Sequence, residues 1–182
     1  MPEPPDVIAP RFDLEQCRSS FEAAFINALH IRAEAELWYA DAWPRDDRLI
    51  ISADVTDAEA NCVLRTLRVD IFENSVIVGP DATYQLASDL DSSLPGVHRW
   101  SDEPPAVLAN RAADWLKGEL SRRIERHEWF LPTFRHRKWV LADSGEPIIE
   151  SDSQNRRRSD LGPPSRITVV WPGQVGTHAG SA

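Results

Sequence analysis

Leu14, Cys17, Phe21, Phe25, Ala28, Ile31, Ala35 and Trp38 recur at spacings of three or four. On a helix of 3.6 residues per turn, that spacing lays a single apolar stripe along one side. Asp13 stands three residues before Gln16, the arrangement of a capping box, and marks the expected start. The expected end is near Ala42, because Trp43 precedes Pro44 and a residue before proline avoids helical angles. An amphipathic helix needs another surface to cover its stripe, and the chain that follows supplies strands.

Leu49 to Val55 and Val63 to Phe72 read as strands on either side of a polar turn, Asp57 to Asn61. In the second strand Val63, Leu67, Val69 and Ile71 line one face, with Thr66, Arg68 and Asp70 opposite. Glu73-Asn74 turns the chain into Ser75 to Val78, and Gly79-Pro80 closes that antiparallel hairpin. A short strand is expected around Tyr84 to Ala87, followed by an acidic loop through Asp89 and Asp91. Ser101 or Asp102 ahead of Pro104-Pro105 predicts a second helix start. Leu108, Ala112, Trp115, Leu116, Leu120 and Ile124 form its apolar face. Arg126 to Phe130 and Arg135 to Leu141 flank Leu131-Pro132-Thr133-Phe134, a second hairpin. Ile148-Ile149 is a short apolar piece and Ile167 to Trp171 a last strand.

Strands joined by hairpins pair antiparallel. The expectation is therefore an α+β fold, a two-layer sandwich whose mainly antiparallel sheet carries two amphipathic helices on one face. Residues 11–171 form one domain on this reading, with a polar loop at 151–165. Residues 1–10, with four prolines, make a flexible N-terminal arm, and 172–182 a disordered tail.

Charge bounds the function. The chain holds 29 acidic and 20 basic side chains, and its net charge of -9 repels phosphates and anionic lipid at long range. No membrane partner is expected, since no run approaches the roughly 20 apolar residues of a span. Cys17 and Cys62 fit neither a disulfide framework nor a metal-ligand spacing. The first ten residues lack the basic and apolar segments of a secretory signal, so a cytoplasmic location is expected.

The charge is unevenly spread. Residues 1–60 carry 13 acidic against 5 basic groups, a balance of -8. Between Lys117 and Val140, seven basic groups face Glu119, Glu125 and Glu128, a balance of +4, interleaved with Trp129, Phe134 and Trp139. The first reading is a non-enzymatic protein-binding or regulatory domain, an acidic accessory, antitoxin-like or immunity-like protein that masks a basic partner. Its candidate contacts are Glu34, Glu36, Asp46, Asp47 and Trp43. The alternative is a nucleic-acid-binding or processing protein using Arg122, Arg123, Arg126, Arg135, Arg137 and Lys138. Against it stands a plainer account: cations complement the C-terminal helix dipole, and charged faces are commonly solvated.

A third reading is a hydrolase around His127, Glu128 and His136. His127-Glu128 begins like a zinc-protease motif, but residue 131 is Leu where the second His belongs. Whether His136 approaches His127 depends on register. Pairing Glu128 with Arg135 sets the histidines opposite each other, whereas Pro132 in its preferred turn position pairs His127 with Lys138 and separates them. None of the eight glycines falls in a phosphate-cradling pattern, so no cofactor is expected. Asp41, Asp46, Asp47 and the Asp89, Asp91 pair lack the ligand order of a calcium loop and read as solvated acids.

Overall fold

A computed structural model describes residues 17–32, 40–81, 88–130, 135–152 and 161–171. The expected arm at 1–10, the strand at Tyr84 to Ala87 and the tail at 172–182 lie outside them. The elements are α1 (Ser20–Arg32), β1 (Ala40–Pro44), β2 (Leu49–Asp57), β3 (Cys62–Ile71), β4 (Ser75–Pro80), β5 (His98–Ser101), α2 (Pro105–Leu120), β6 (Ile124–Phe130), β7 (Arg135–Leu141), β8 (Pro147–Asp152) and β9 (Arg166–Trp171). The fold is mixed α and β, with two helices and two antiparallel sheets among the described residues. One sheet was expected and two are found: β1-β2-β3-β4-β5 and β8-β7-β6-β9. After α2 the chain does not add to the edge at β5. It starts afresh at β6, whose two sides are taken by β7 and β9.

Contacts group the chain into two compact units, 1–54 with 65–119, and 55–64 with 120–182. In the first, Ser19 caps α1: its Oγ accepts the Glu22 N–H at 3.1 Å, and the Glu22 carboxylate accepts the Arg18 N–H at 2.6 Å. Two otherwise unpaired donors are satisfied reciprocally where the described helix begins, at Ser20, and the expected start at Asp13 lies outside the described residues. The buried face of α1 is Phe21, Glu22, Phe25, Ile26, Ala28 and Leu29. Ile31, expected in the stripe, is 82% exposed. The steps from Phe25 to Ala28 to Ile31 are both of three residues. At about 100° per residue they carry Ile31 roughly 120° round the helix from Phe25.

The helix does not reach Ala42. Ala40 to Pro44 is a strand, paired from Ala40↔Ala53 to Pro44↔Leu49. Pro44 stands at the strand's end, where its missing N–H costs no ladder bond.

β3 is buried on both faces. Leu67, Val69 and Ile71 are apolar as expected, but Thr66, Arg68 and Asp70 opposite them are buried too. Arg68 binds Asp70 in a bidentate pair at 2.6 and 2.8 Å, and donates to the Ser88 carbonyl at 2.8 Å. Arg48 reaches the same Asp70 at 3.4 Å and also pairs with Asp89. Ile77, directly opposite Asp70, packs with Leu90, Val97 and Phe72. The expected acidic loop thus ties itself over this face through Asp89, Ser88 and Leu90, while Asp91 stays exposed and caps its own turn through Ser93.

α2 starts with Pro105 in its first turn and buries Leu108, Ala109, Ala112, Ala113, Leu116 and Leu120. Arg32 of α1 grips it at Asp114, 2.5 Å, and Asn110, 2.8 Å.

In the second unit β6, β7 and β8 form a meander, and β9 returns to the free side of β6. Ile124↔Leu141, Arg126↔Trp139, Glu128↔Arg137 and Phe130↔Arg135 are cross-strand partners. Side chains alternate, so these eight share one face, joined by Arg166, the partner of Glu128 on β9. Glu125, His127, Trp129, His136, Lys138 and Val140 occupy the other. The turn 57–61 also belongs to this unit. Asp57 accepts the Ala60 N–H at 3.0 Å, and Asn61 takes the left-handed conformation (φ 51°) that Asn tolerates.

Candidate functional site

The register separates the charged residues by job. Arg126 is buried to 2% exposure on the first face of β6. It donates to Asp57 at 2.6 Å and also pairs with Glu59. Asp57 accepts a second bond from the Trp139 indole at 2.8 Å. Burial works to raise the Asp57 carboxyl, but the bonds from Trp139, Ala60 and Arg126 outweigh it and hold the group below its ordinary value. Arg126 is therefore a structural cation and is withdrawn from the expected anion-binding set.

Next along the same face lies Glu128, also buried. Arg166 donates to it through Nε at 2.6 Å, and Arg137 through Nε at 3.2 Å. Arg126 Nε stands 3.5 Å away. Burial pushes the carboxyl up, and the Arg166 hydrogen bond with the charges of Arg126, Arg166 and Arg137 more than reverses that. Beyond Glu128 the face ends in Phe130, 47% exposed. Arg135 lies over its ring at 5.5 Å from the centroid and Arg166 at 5.7 Å. Ser165 Oγ accepts the Phe130 N–H at 3.3 Å, fixing the backbone that carries the ring.

Three guanidiniums and one aromatic ring thus meet on one side of the sheet. Arg137 and Arg166 keep 37% and 50% of their side chains exposed, against 2% for the Glu128 that orients them. Arg135 is exposed and makes no ion pair with any described residue. The connection from β8 to β9 leaves opposite His136 and returns opposite Glu128, at this same end. Arg156, Arg157 and Arg158 belong to that connection and lie outside the described residues.

The other expected cations do not join this cluster. Arg122 is held in a bidentate pair by Asp143, both bonds 2.9 Å, and Arg123 pairs with Glu125 at 2.9 Å. Lys138 is on the opposite face, across from His127. Arg166 and Phe130 were not singled out by the sequence. Only the long-range pairing of β9 with β6 brings Arg166 to Glu128, and a polar stretch before it gave no signal.

Alternation separates the residues of the hydrolase reading. His127 pairs with Lys138, the register that Pro132 favours, so the histidines are not opposite each other. Trp129 stands between them, its ring 6.3 Å from His127 and 5.1 Å from His136. Glu128 points to the other side of the sheet from both. The acidic candidates lie in the first unit. Glu34 and Glu36 are outside the described residues, while Asp46, Asp47 and Trp43 sit exposed at the β1–β2 turn, closed by the Arg45 N–H to Arg48 carbonyl bond at 2.8 Å. Among the described residues no three His, Cys, Asp or Glu side chains gather as a metal site, and no helix is long and apolar enough to cross a membrane.

Known proteins offer no parallel: no family model, curated protein or solved structure matches this chain.

Charge follows the two units. The first holds 20 carboxylates against 10 cationic side chains and the second 9 against 10, so -10 and +1 make the chain's -9. Salt screens charges beyond about 8 Å at physiological ionic strength. A ligand on the β6–β7–β9 face meets its three guanidiniums there, not the chain's net charge.

Proposed function

We propose that the chain is a non-enzymatic binding protein whose second unit contacts nucleic acid through the sheet face of Phe130, Arg135, Arg137 and Arg166. The observation that carries this reading is the burial of Glu128 beneath guanidiniums that remain partly exposed. The buried acid orients the cations, and part of each arginine side chain stays open to water. Arginine held in this way presents a planar fork suited to phosphate oxygens.

The test is binding of a labelled oligonucleotide to the full chain in a series of salt concentrations. Three phosphate contacts on a single strand correspond to a log–log slope near about -2, a loss of roughly 20-fold in affinity between 50 and 200 mM salt. Charge reversal at Arg135 and Arg137 abolishes that dependence on this reading. Salt-independent or undetectable binding of both single- and double-stranded oligonucleotides would sink it.

A second reading keeps a specific observation of its own. Trp43, 47% exposed, stands beside Asp46 and Asp47 on the strongly acidic first unit. An exposed aromatic next to two acids suits a basic protein partner, with the ring as anchor. Reversing Asp46 and Asp47 then weakens capture of a basic partner and leaves oligonucleotide affinity alone.

A further inference from the structure

We infer that Phe130 is the seat for an unpaired nucleobase, so that the ligand of this face is single-stranded. The inference rests on the nucleic-acid reading and narrows it. A purely electrostatic contact with duplex phosphates has no use for an exposed phenyl ring, and water solvates such a ring poorly. Here the ring closes the cationic row: it lies directly across from Arg135 and two residues beyond Glu128, about 7 Å along the strand.

The parts divide the work. Arg137 is committed to Glu128 through Nε and Arg166 through both Nε and Nη2, while half of the Arg166 side chain and over a third of the Arg137 side chain stay exposed to a phosphate. Arg135, exposed and without an ion pair among the described residues, is the group free to follow a ligand. Its guanidinium already lies over the Phe130 ring, and a base entering beside it meets an aromatic face and a cation at once. A duplex hides its base faces in the stack and cannot use that seat. A single strand can, with any base, because each has a π-face. The predicted ligand is therefore a single strand held with little sequence preference.

The experiment compares labelled oligothymidylate, an abasic oligomer of equal length, a duplex and inorganic polyphosphate on the full chain. Each is titrated against wild type, Phe130→Ala and Phe130→Trp, with the thermal midpoint confirming that each variant is folded. Phe130→Ala should weaken oligothymidylate about 5- to 100-fold. Its effect on the abasic oligomer and on polyphosphate should be at least five times smaller, and Phe130→Trp should restore oligothymidylate binding. Equal losses for all four ligands, or none for any, overturn the base seat while leaving salt-dependent binding in place. Absence of binding to every polyanion overturns the nucleic-acid reading itself.

Discussion

The Arg126 guanidinium and the Asp57 carboxylate are 69 residues apart in sequence and meet at 2.6 Å, each side chain only 2% exposed. Trp139 donates to the same carboxylate oxygen, so one atom of the turn 57–61 ties it to both β6 and β7, beside the Arg126–Glu59 pair. Removing one partner of a buried ion pair strands the other charge. Asp57→Ala should therefore cost about 3–5 kcal/mol in urea unfolding. Arg126→Met combined with Asp57→Leu should cost less than the two single changes added together, and additive losses would contradict a shared pair.

Acid should weaken the second unit through Asp57 and Glu128. Both carboxyls lie below their ordinary values of 3.8 and 4.5, so the unfolded chain binds these protons more readily than the folded one. Their contribution is complete above those ordinary values and is lost as pH falls through the lower folded ones. Asp70 has the opposite sign: burial raises it despite Arg68 and Arg48, so acid relieves a cost there. Urea midpoints should fall between about pH 5 and 3. The fall should be smaller in Glu128→Gln, and an unchanged slope in that variant would contradict the assignment.

Two glycines should respond to alanine in opposite ways. A Cβ on Gly79 would stand 2.7 Å from Val97 Cγ2 and 3.1 Å from its Cα, so Gly79→Ala overpacks a buried strand at a cost of about 1–3 kcal/mol. At Gly118 on α2 nothing lies within 4 Å, and Gly118→Ala should add about 0.5–1 kcal/mol by helix propensity. Thermal midpoints of the two variants read both signs.

Because β6 alternates, His127 and Lys138 point away from the proposed contact face. His127→Gln should change oligonucleotide affinity less than about twofold, whereas Arg135→Glu should weaken it more than about tenfold, given charge-assisted contacts of 1.5–3 kcal/mol. Fluorescence anisotropy with one oligomer separates the two. An equal loss from both variants would place the contact elsewhere.

Local signals made part of this fold legible. The β2, β3 and β4 spans follow from alternation and turn residues, and of the two registers left open for the second hairpin the fold takes the one that suits Pro132, His127↔Lys138. Distant partners were not legible. Arg126 reads as a surface cation until Asp57 and Glu59 arrive from another turn, and Arg68 as a polar-face residue until Asp70, Arg48 and the 88–97 loop enclose it. β1 was hidden because the helix was read as running on to about Ala42, while in the fold Ala40 to Pro44 pair with β2. The proposed contact face had half its members in view, Arg135 and Arg137. Arg166 and Phe130 become neighbours only through the β6–β9 ladder.

The most direct test is photocrosslinking of an iodouridine-bearing oligonucleotide to the full chain, followed by mapping of the modified peptide. Crosslinks at Phe130 or in the peptides containing Arg135, Arg137 and Arg166 are the predicted result. Crosslinks confined to α1, β1–β5 or α2, or none at low salt, would contradict a nucleic-acid contact on this sheet face.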